Sequence, residues 1–258
     1  MYFCSTLNKI RYFIQIAYDG SLYHGWQIQP NAITVQELLD KALSTVFRQA
    51  VETLGCGRTD TGVHAKDFYA HFDLENLEES KVLNSISSIN ALLPYQIAAK
   101  RIIPVHHDAH ARFDATSRAY QYFIHFEKDP FKLNRSWLIK DQLDLSAMNQ
   151  AAGLLFDYID FSCFSKSNTQ TFTNNCKIVQ AFFAEIDGSL VFTIQADRFL
   201  RNMVRAIMGT LVRIGKNEIN LTDFKAIIES KNRSNAGQSV PACGLYLVKI
   251  EYPYIKNV

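Results

Sequence analysis

Asp187-Gly188 separates two runs, 177–187 and 190–197, that both read as strands. Aspartate followed by glycine suits a two-residue turn whose central residues both take positive φ, the turn that joins antiparallel strands. This pairing constrains the fold more than any other local feature, because it commits the second half of the chain to antiparallel sheet. The first half is built in the same style. In IRYFIQIAY, residues 10–18, Ile10, Tyr12, Ile14, Ile16 and Tyr18 share one face of a strand. Thr34-Val35-Gln36-Glu37 has the form of a capping box. Behind it, Val35, Leu38, Leu39, Ala42, Leu43, Val46 and Phe47 fall at helical spacing. Further strands are expected near 51–56, 67–74, 95–103, 118–127 and 245–251. Helices are expected near 78–93, 145–156, 199–214 and 222–231. Strands and helices mix without strict β-α alternation, so the class is α+β with a mainly antiparallel sheet. The expected division is 1–105 and 106–258, in the stretch from Pro104 to Ala111, with no long linker.

A 258-residue chain with 48% hydrophobic and 20% charged residues has the composition of a globular protein and needs no staples. The cysteines at 4, 56, 163, 176 and 243 form no C-x-x-C pair, which suits a reducing compartment. The first residues place their charges after the apolar ones, the reverse of a signal peptide, and no run is long enough for a membrane span. The expectation is a cytoplasmic protein. The net charge of +2 excludes little by itself. Its distribution says more: 198–216 holds Arg198, Arg201, Arg205, Arg213 and Lys216 and no acid. On a helical wheel these arginines, with Gly209, lie opposite Leu200, Met203, Val204, Ile207, Leu211 and Ile214. An all-positive helix face suits phosphate contacts.

The chemistry-bearing stretch is GCGRTDTGVHA at 55–65. A carboxylate such as Asp60 acts as nucleophile, base or metal ligand. If the stretch is extended, Arg58 and Asp60 share a face, and a nearby cation favours the ionised acid. Glycines 55, 57 and 62 permit positive φ and close approach of a ligand. The spacing fits neither a dinucleotide fingerprint nor a phosphate loop. A plain turn uses the same residue types, and spacing alone leaves both open. His106, His107 and His110 match no standard zinc spacing, so no metal is expected. With Arg112 and Arg118 nearby, that segment suits RNA better. Cys56 invites comparison with cysteine nucleophiles of pyrimidine methyltransferases, but no segment resembles a methyl-donor pocket, and a buried cysteine is the default.

GRTDTGVHA resembles the signature of the TruA family of tRNA pseudouridine synthases. The resemblance runs through AYDGSLYHGWQ at 17–27, TVQELLDKAL at 34–43, NALLPYQI at 90–97, HARFDATSRAYQY at 110–122, DFSCF at 160–164, FLRNMVRAIMGTLVRIG at 199–215 and PACGLYLV at 241–248. Gln96, where an acid is common, departs from the pattern. The resemblance implies two similar α/β-sandwich subdomains of the RRM/ferredoxin type, sharing an antiparallel sheet with helices on one side and a central basic cleft. It implies isomerisation of uridine to pseudouridine at positions 38, 39 and 40 in the anticodon stem-loop of tRNA. The bond from N1 to C1′ breaks, the uracil turns, and C5 bonds to C1′. Nothing is added, so no cofactor is expected.

By the same resemblance Asp60 is the catalytic carboxylate, through attack on C1′, attack on C6, or removal of a ribose proton. Three substrate-binding residues follow. Arg58 fills the gap left by the flipped nucleotide. Tyr120 stacks on the target base, with Tyr122 structural. Arg205, the arginine of M-V-R, is near Asp60 and keeps it ionised. His110, Arg112, Arg118, Arg198 and Arg201 are expected to touch RNA. Partners are tRNA and a second copy of the chain. The rival from another class is an RNA-binding module or RNA chaperone without catalysis. A glycosidase-like hydrolase, releasing free uracil, is a third reading.

Overall fold

The computed structural model describes residues 9–166 and 172–255; Cys4 and the first residues of the chain lie outside them. The chain divides into two compact units, Met1–Ala115 with Tyr252–Val258, and Thr116–Glu251. The division falls later than the expected 105/106, and the chain returns to its first unit after Glu251. The reason is aromatic packing. Tyr252 meets Phe13 and Tyr69 edge-on at 5.2 and 5.3 Å, and Tyr254 Oη donates to Asp114.

In the first unit, β1 (Lys9–Tyr18) pairs antiparallel with both β3 (His64–Glu75) and β4 (Ile97–Pro104), and β2 (Leu54–Gly55) pairs with β3. Tyr12, Ile14, Ile16 and Tyr18 are buried, as the alternation requires. α1 (Val35–Phe47) starts at Thr34, whose side chain accepts the Glu37 N–H, and Arg48 ends it at φ 55°. The helix expected over 78–93 is two helices, α2 (Glu79–Leu83) and α3 (Ile86–Leu92). The break falls at Asn84-Ser85, residue types that bond their own backbone in preference to a helix. Here Ser85 Oγ donates to the Val82 carbonyl.

In the second unit the strand order is β9-β5-β8-β7: β9 (Leu245–Glu251), β5 (Ser117–His125), β8 (Ser189–Ala196) and β7 (Ile178–Ile186). All these neighbours are antiparallel; β6 (Trp137–Leu138) adds a short parallel pairing to β5. Asp187 and Gly188 have φ of 47° and 66°, the turn that their sequence signals. α4 (Leu145–Leu154) packs on β7 and on α5 (Met203–Gly215). α6 (Leu221–Glu229) opens with a reciprocal capping box between Asn220 and Asp223.

α5 departs from expectation in two ways. It begins at Met203, not 199, because Asn202 sits at φ 66°. Arg198 and Arg201 therefore lie before the helix. Nor does the helix have a solvated basic face: eleven of its residues are buried, Gly209 among them. The segment around 237–240 covers that side. A Cβ on Gly209 would lie 1.9 Å from the Gln238 carbonyl oxygen, and Gly237 N donates to Thr210 Oγ1. Arg213 and Lys216 are paired with Glu218 and Asp141.

Candidate active site

β2 stops at Gly55, so residues 58–60 belong to a loop rather than a strand. The one-face argument for Arg58 and Asp60 therefore does not apply. The loop is tied instead by its backbone. Cys56 N donates to the Tyr69 carbonyl at 2.8 Å, and Trp26 N donates to the Thr59 carbonyl at 3.4 Å. Val63 N donates to the Asp60 carbonyl at 3.1 Å, and Gly62 N donates to the Tyr23 carbonyl at 3.3 Å. The hydroxyls of Tyr18 and Thr59 lie 2.9 Å apart. Asp60 is half-buried and Arg58 exposed. A carboxylate on a backbone held at this many points loses little further freedom when a ligand arrives, which favours a defined geometry.

The three glycines of the motif differ in purpose. Gly62 takes φ 79°. Gly55 faces the Trp26 indole, where a Cβ would be 2.6 Å from Nε1, so its smallness serves packing. Gly57 has open space where a side chain would be. Close approach of a ligand thus fits Gly57 and not Gly55.

Sequence reasoning missed the brace around this loop. Gly25, at φ 85°, presses against Thr59: a Cβ there would lie 2.2 Å from the Thr59 carbonyl oxygen. Trp26 stacks near Phe68 at 4.3 Å. On α1, Gln36 Nε2 donates to the Thr53 carbonyl at 2.6 Å, and Gln36 Oε1 accepts the Ile28 N–H. Asp40 accepts the Thr53 N–H and hydroxyl at 3.0 and 2.6 Å. Burial pushes the Asp40 carboxyl up to about 6, against those hydrogen bonds. These contacts link residues far apart in sequence, and no local pattern announces them.

In the same unit, His110 is a structural acceptor. Its Nδ1 takes the N–H groups of Arg112 and Phe113 at 3.1 and 3.2 Å, and burial lowers its pKa. Arg112 is exposed and lies over the Phe113 ring at 5.6 Å. His106 faces Asp108. Among the described residues no group of three or more His, Cys, Asp or Glu is placed to hold a metal ion. Cys56 is buried.

In the second unit, Tyr120 and Tyr122 lie two apart on β5 and differ sharply. Tyr122 is fully buried, its hydroxyl donates to the Pro241 carbonyl at 2.8 Å, and burial raises its pKa. Tyr120 is half-exposed, with its ring edge-on to Phe199 at 5.2 Å. Arg205 is one of two residues of α5 left unburied; its Nε donates to the Val240 carbonyl at 2.8 Å. Arg118 Nη1 donates to the Asp197 carbonyl at 2.8 Å, and the Asp197 carboxylate accepts the N–H of Arg198. Arg201 is exposed.

Residues 158–253 match a family model described as tRNA pseudouridine synthase. The chain is 52% identical over 244 residues to the tRNA pseudouridine synthase A of Bacteroides fragilis, covering 94% of this chain and 96% of that protein. The protein of the same description from Bacteroides thetaiotaomicron is 49% identical over 246 residues, 94% of this chain and 91% of that one. A more distant relative, from Exiguobacterium sibiricum, is 35% identical over 247 residues, 96% of this chain and 98% of its own. Identity at this level along nearly the whole length of both partners shows that the chain belongs to the tRNA pseudouridine synthase A family.

Proposed function

We propose that this protein isomerises uridine to pseudouridine in tRNA, at positions 38, 39 and 40 of the anticodon stem-loop, with Asp60 as the catalytic carboxylate. The observation that carries the reading is the 52% identity over 94% of the chain, a span that contains G-R-T-D. The tied loop around Asp60 supports it, because chemistry on an extruded base needs a carboxylate of fixed position. Tyr120 is assigned to stacking on the target base; its half-exposed ring beside a buried Tyr122 supports that division of labour. Arg58 is assigned to the space left by the flipped nucleotide, and Arg205 to substrate binding through its M-V-R motif. His110, Arg112, Arg118, Arg198 and Arg201 are assigned to the RNA, His110 through the turn that it holds.

Both units carry antiparallel strands with helices, which supports the RRM/ferredoxin reading of each. No helix among the described residues is long and apolar enough to cross a membrane. A homodimer working in the cytoplasm, without cofactor, completes the proposal.

The test is to incubate wild type, Asp60→Asn and Asp60→Ala with unmodified tRNA. Pseudouridine is then mapped by an adduct that stops reverse transcription. The expected result is stops at the anticodon stem-loop for wild type and none for either variant. Pseudouridine formed by the variants at the wild-type rate refutes the role of Asp60. Free uracil in the supernatant indicates hydrolysis instead.

A further inference from the structure

We infer that Lys100 and Arg101, at an irregularity of β4, form a binding site for the phosphodiester backbone of the substrate RNA. The inference rests on the tRNA reading above and adds two residues to it.

The register of β1 with β4 passes from Gln15↔Arg101 to Ile16↔Ala99, so Lys100 is an extra residue in the strand. On the other flank of β1 the register passes from Ile16↔Phe68 to Tyr18↔Ala65, so Lys66 and Asp67 of β3 stand against the single residue Ala17, one residue extra in β3. Two bulges thus flank one short stretch of β1. Bulges re-aim side chains and free backbone groups from the ladder. Lys100 Nζ reaches past β1 to donate to the Lys66 carbonyl at 2.6 Å. Arg101 Nε donates to Gln15 Oε1 at 2.6 Å, and its Nη2 donates to Tyr69 Oη at 2.9 Å.

The chemistry of these partners matters. The acceptors of both cations are neutral: a carbonyl, an amide oxygen and a phenol. The neighbouring acid, Asp67, accepts Gln15 Nε2 at 2.6 Å. Arg101 is half-buried and Lys100 exposed. A guanidinium oriented by neutral groups keeps its full charge and a fixed fork, which suits bidentate contact with a phosphate. Lys100 adds a second charge from the next residue. Both reach β3, the strand that follows the G-R-T-D-T-G-V motif, Lys100 at Lys66 and Arg101 at Tyr69. The competing explanation is edge protection, since lysines on outer strands discourage strand-to-strand association.

The experiment measures binding of unmodified tRNA to the full chain across a series of salt concentrations, with pseudouridine formation assayed separately. Lys100→Gln changes an exposed residue, so it tests the site without threatening the fold. Arg101→Lys keeps the charge and loses the fork, and Lys225→Gln, exposed on α6, is the control. Loss of one phosphate contact lowers the slope of log K against log salt by about 0.7–0.9. It weakens binding about tenfold. The expected outcome is that Lys100→Gln shows both changes, Arg101→Lys weakens binding with the slope kept, and Lys225→Gln shows neither. If wild type binds tRNA and Lys100→Gln binds equally well with the same slope, the site is refuted. Aggregation of Lys100→Gln with unchanged binding establishes edge protection in its place. A wild type that binds no tRNA refutes the functional reading instead.

Discussion

Replacing His71 by glutamine should remove most of one acid-sensitive contribution to stability. His71 lies buried on β3, and its Nδ1 accepts the Ala111 N–H at 3.1 Å. That bond requires an unprotonated Nδ1. Burial first, then the positive charge of Arg11 and repulsion from the His110 imidazole should that also take up a proton, hold its pKa down to about 4, while Asp73 and Asp114 pull the other way. In the unfolded chain the imidazole returns to about 6.5. Between these values the unfolded state binds the extra proton, so stability is full above about 6.5 and falls as pH drops toward 4. The interval of about 2.5 units corresponds to about 3 kcal/mol at 1.36 kcal/mol per unit. Asp40, raised to about 6, works in the opposite sense and gains stability over part of the same range. It is present in both proteins and cancels in their difference. Glutamine retains an acceptor for Ala111 and cannot titrate. The assay is denaturant unfolding of wild type and His71→Gln at several values between pH 7 and pH 4. Wild type should lose about 3 kcal/mol relative to the variant by pH 4. A difference that stays within about 0.5 kcal/mol across the range refutes the reasoning.

Gly25→Ala forces a Cβ against the Thr59 carbonyl at a backbone angle that alanine resists; thermal unfolding should show a loss of at least ~1 kcal/mol, and pseudouridine formation should fall with it. Gly57→Ala meets open space, so its melting temperature should match wild type, and a drop in activity alone would locate the ligand beside it. Tyr122→Phe removes the bond to Pro241 and should cost about 1 kcal/mol in denaturant unfolding while kcat is kept; Tyr120→Leu should do the reverse.

Much of the fold is legible because its signals are local. The Asp187-Gly188 turn, the Thr34 cap and the alternation of β1 each depend on a few adjacent residues, and the structure has them where the pattern puts them. α5 shows the limit. Its periodicity is real, yet the wheel cannot know that the stretch near 237–240 folds back over Gly209, turning an expected wet face into a buried one. The start at Met203 also escapes, because Asn202 adopts a conformation open to asparagine but not dictated by it. The G-R-T-D motif is visible as a string. What holds it, the Trp26 indole against Gly55 and the Gln36 amide on Thr53, spans twenty-nine and seventeen positions and leaves no periodic trace.

The return of the chain to its first unit after Glu251 has a consequence for biosynthesis. Phe13, Tyr69 and Ala111 leave the ribosome long before Tyr252, which covers them. At translation speeds of roughly 5–20 residues per second, the nascent half waits on the order of ten seconds for its last aromatic lid. Throughout that interval Phe13 and Tyr69 lack the ring that packs edge-on against both of them in the finished fold.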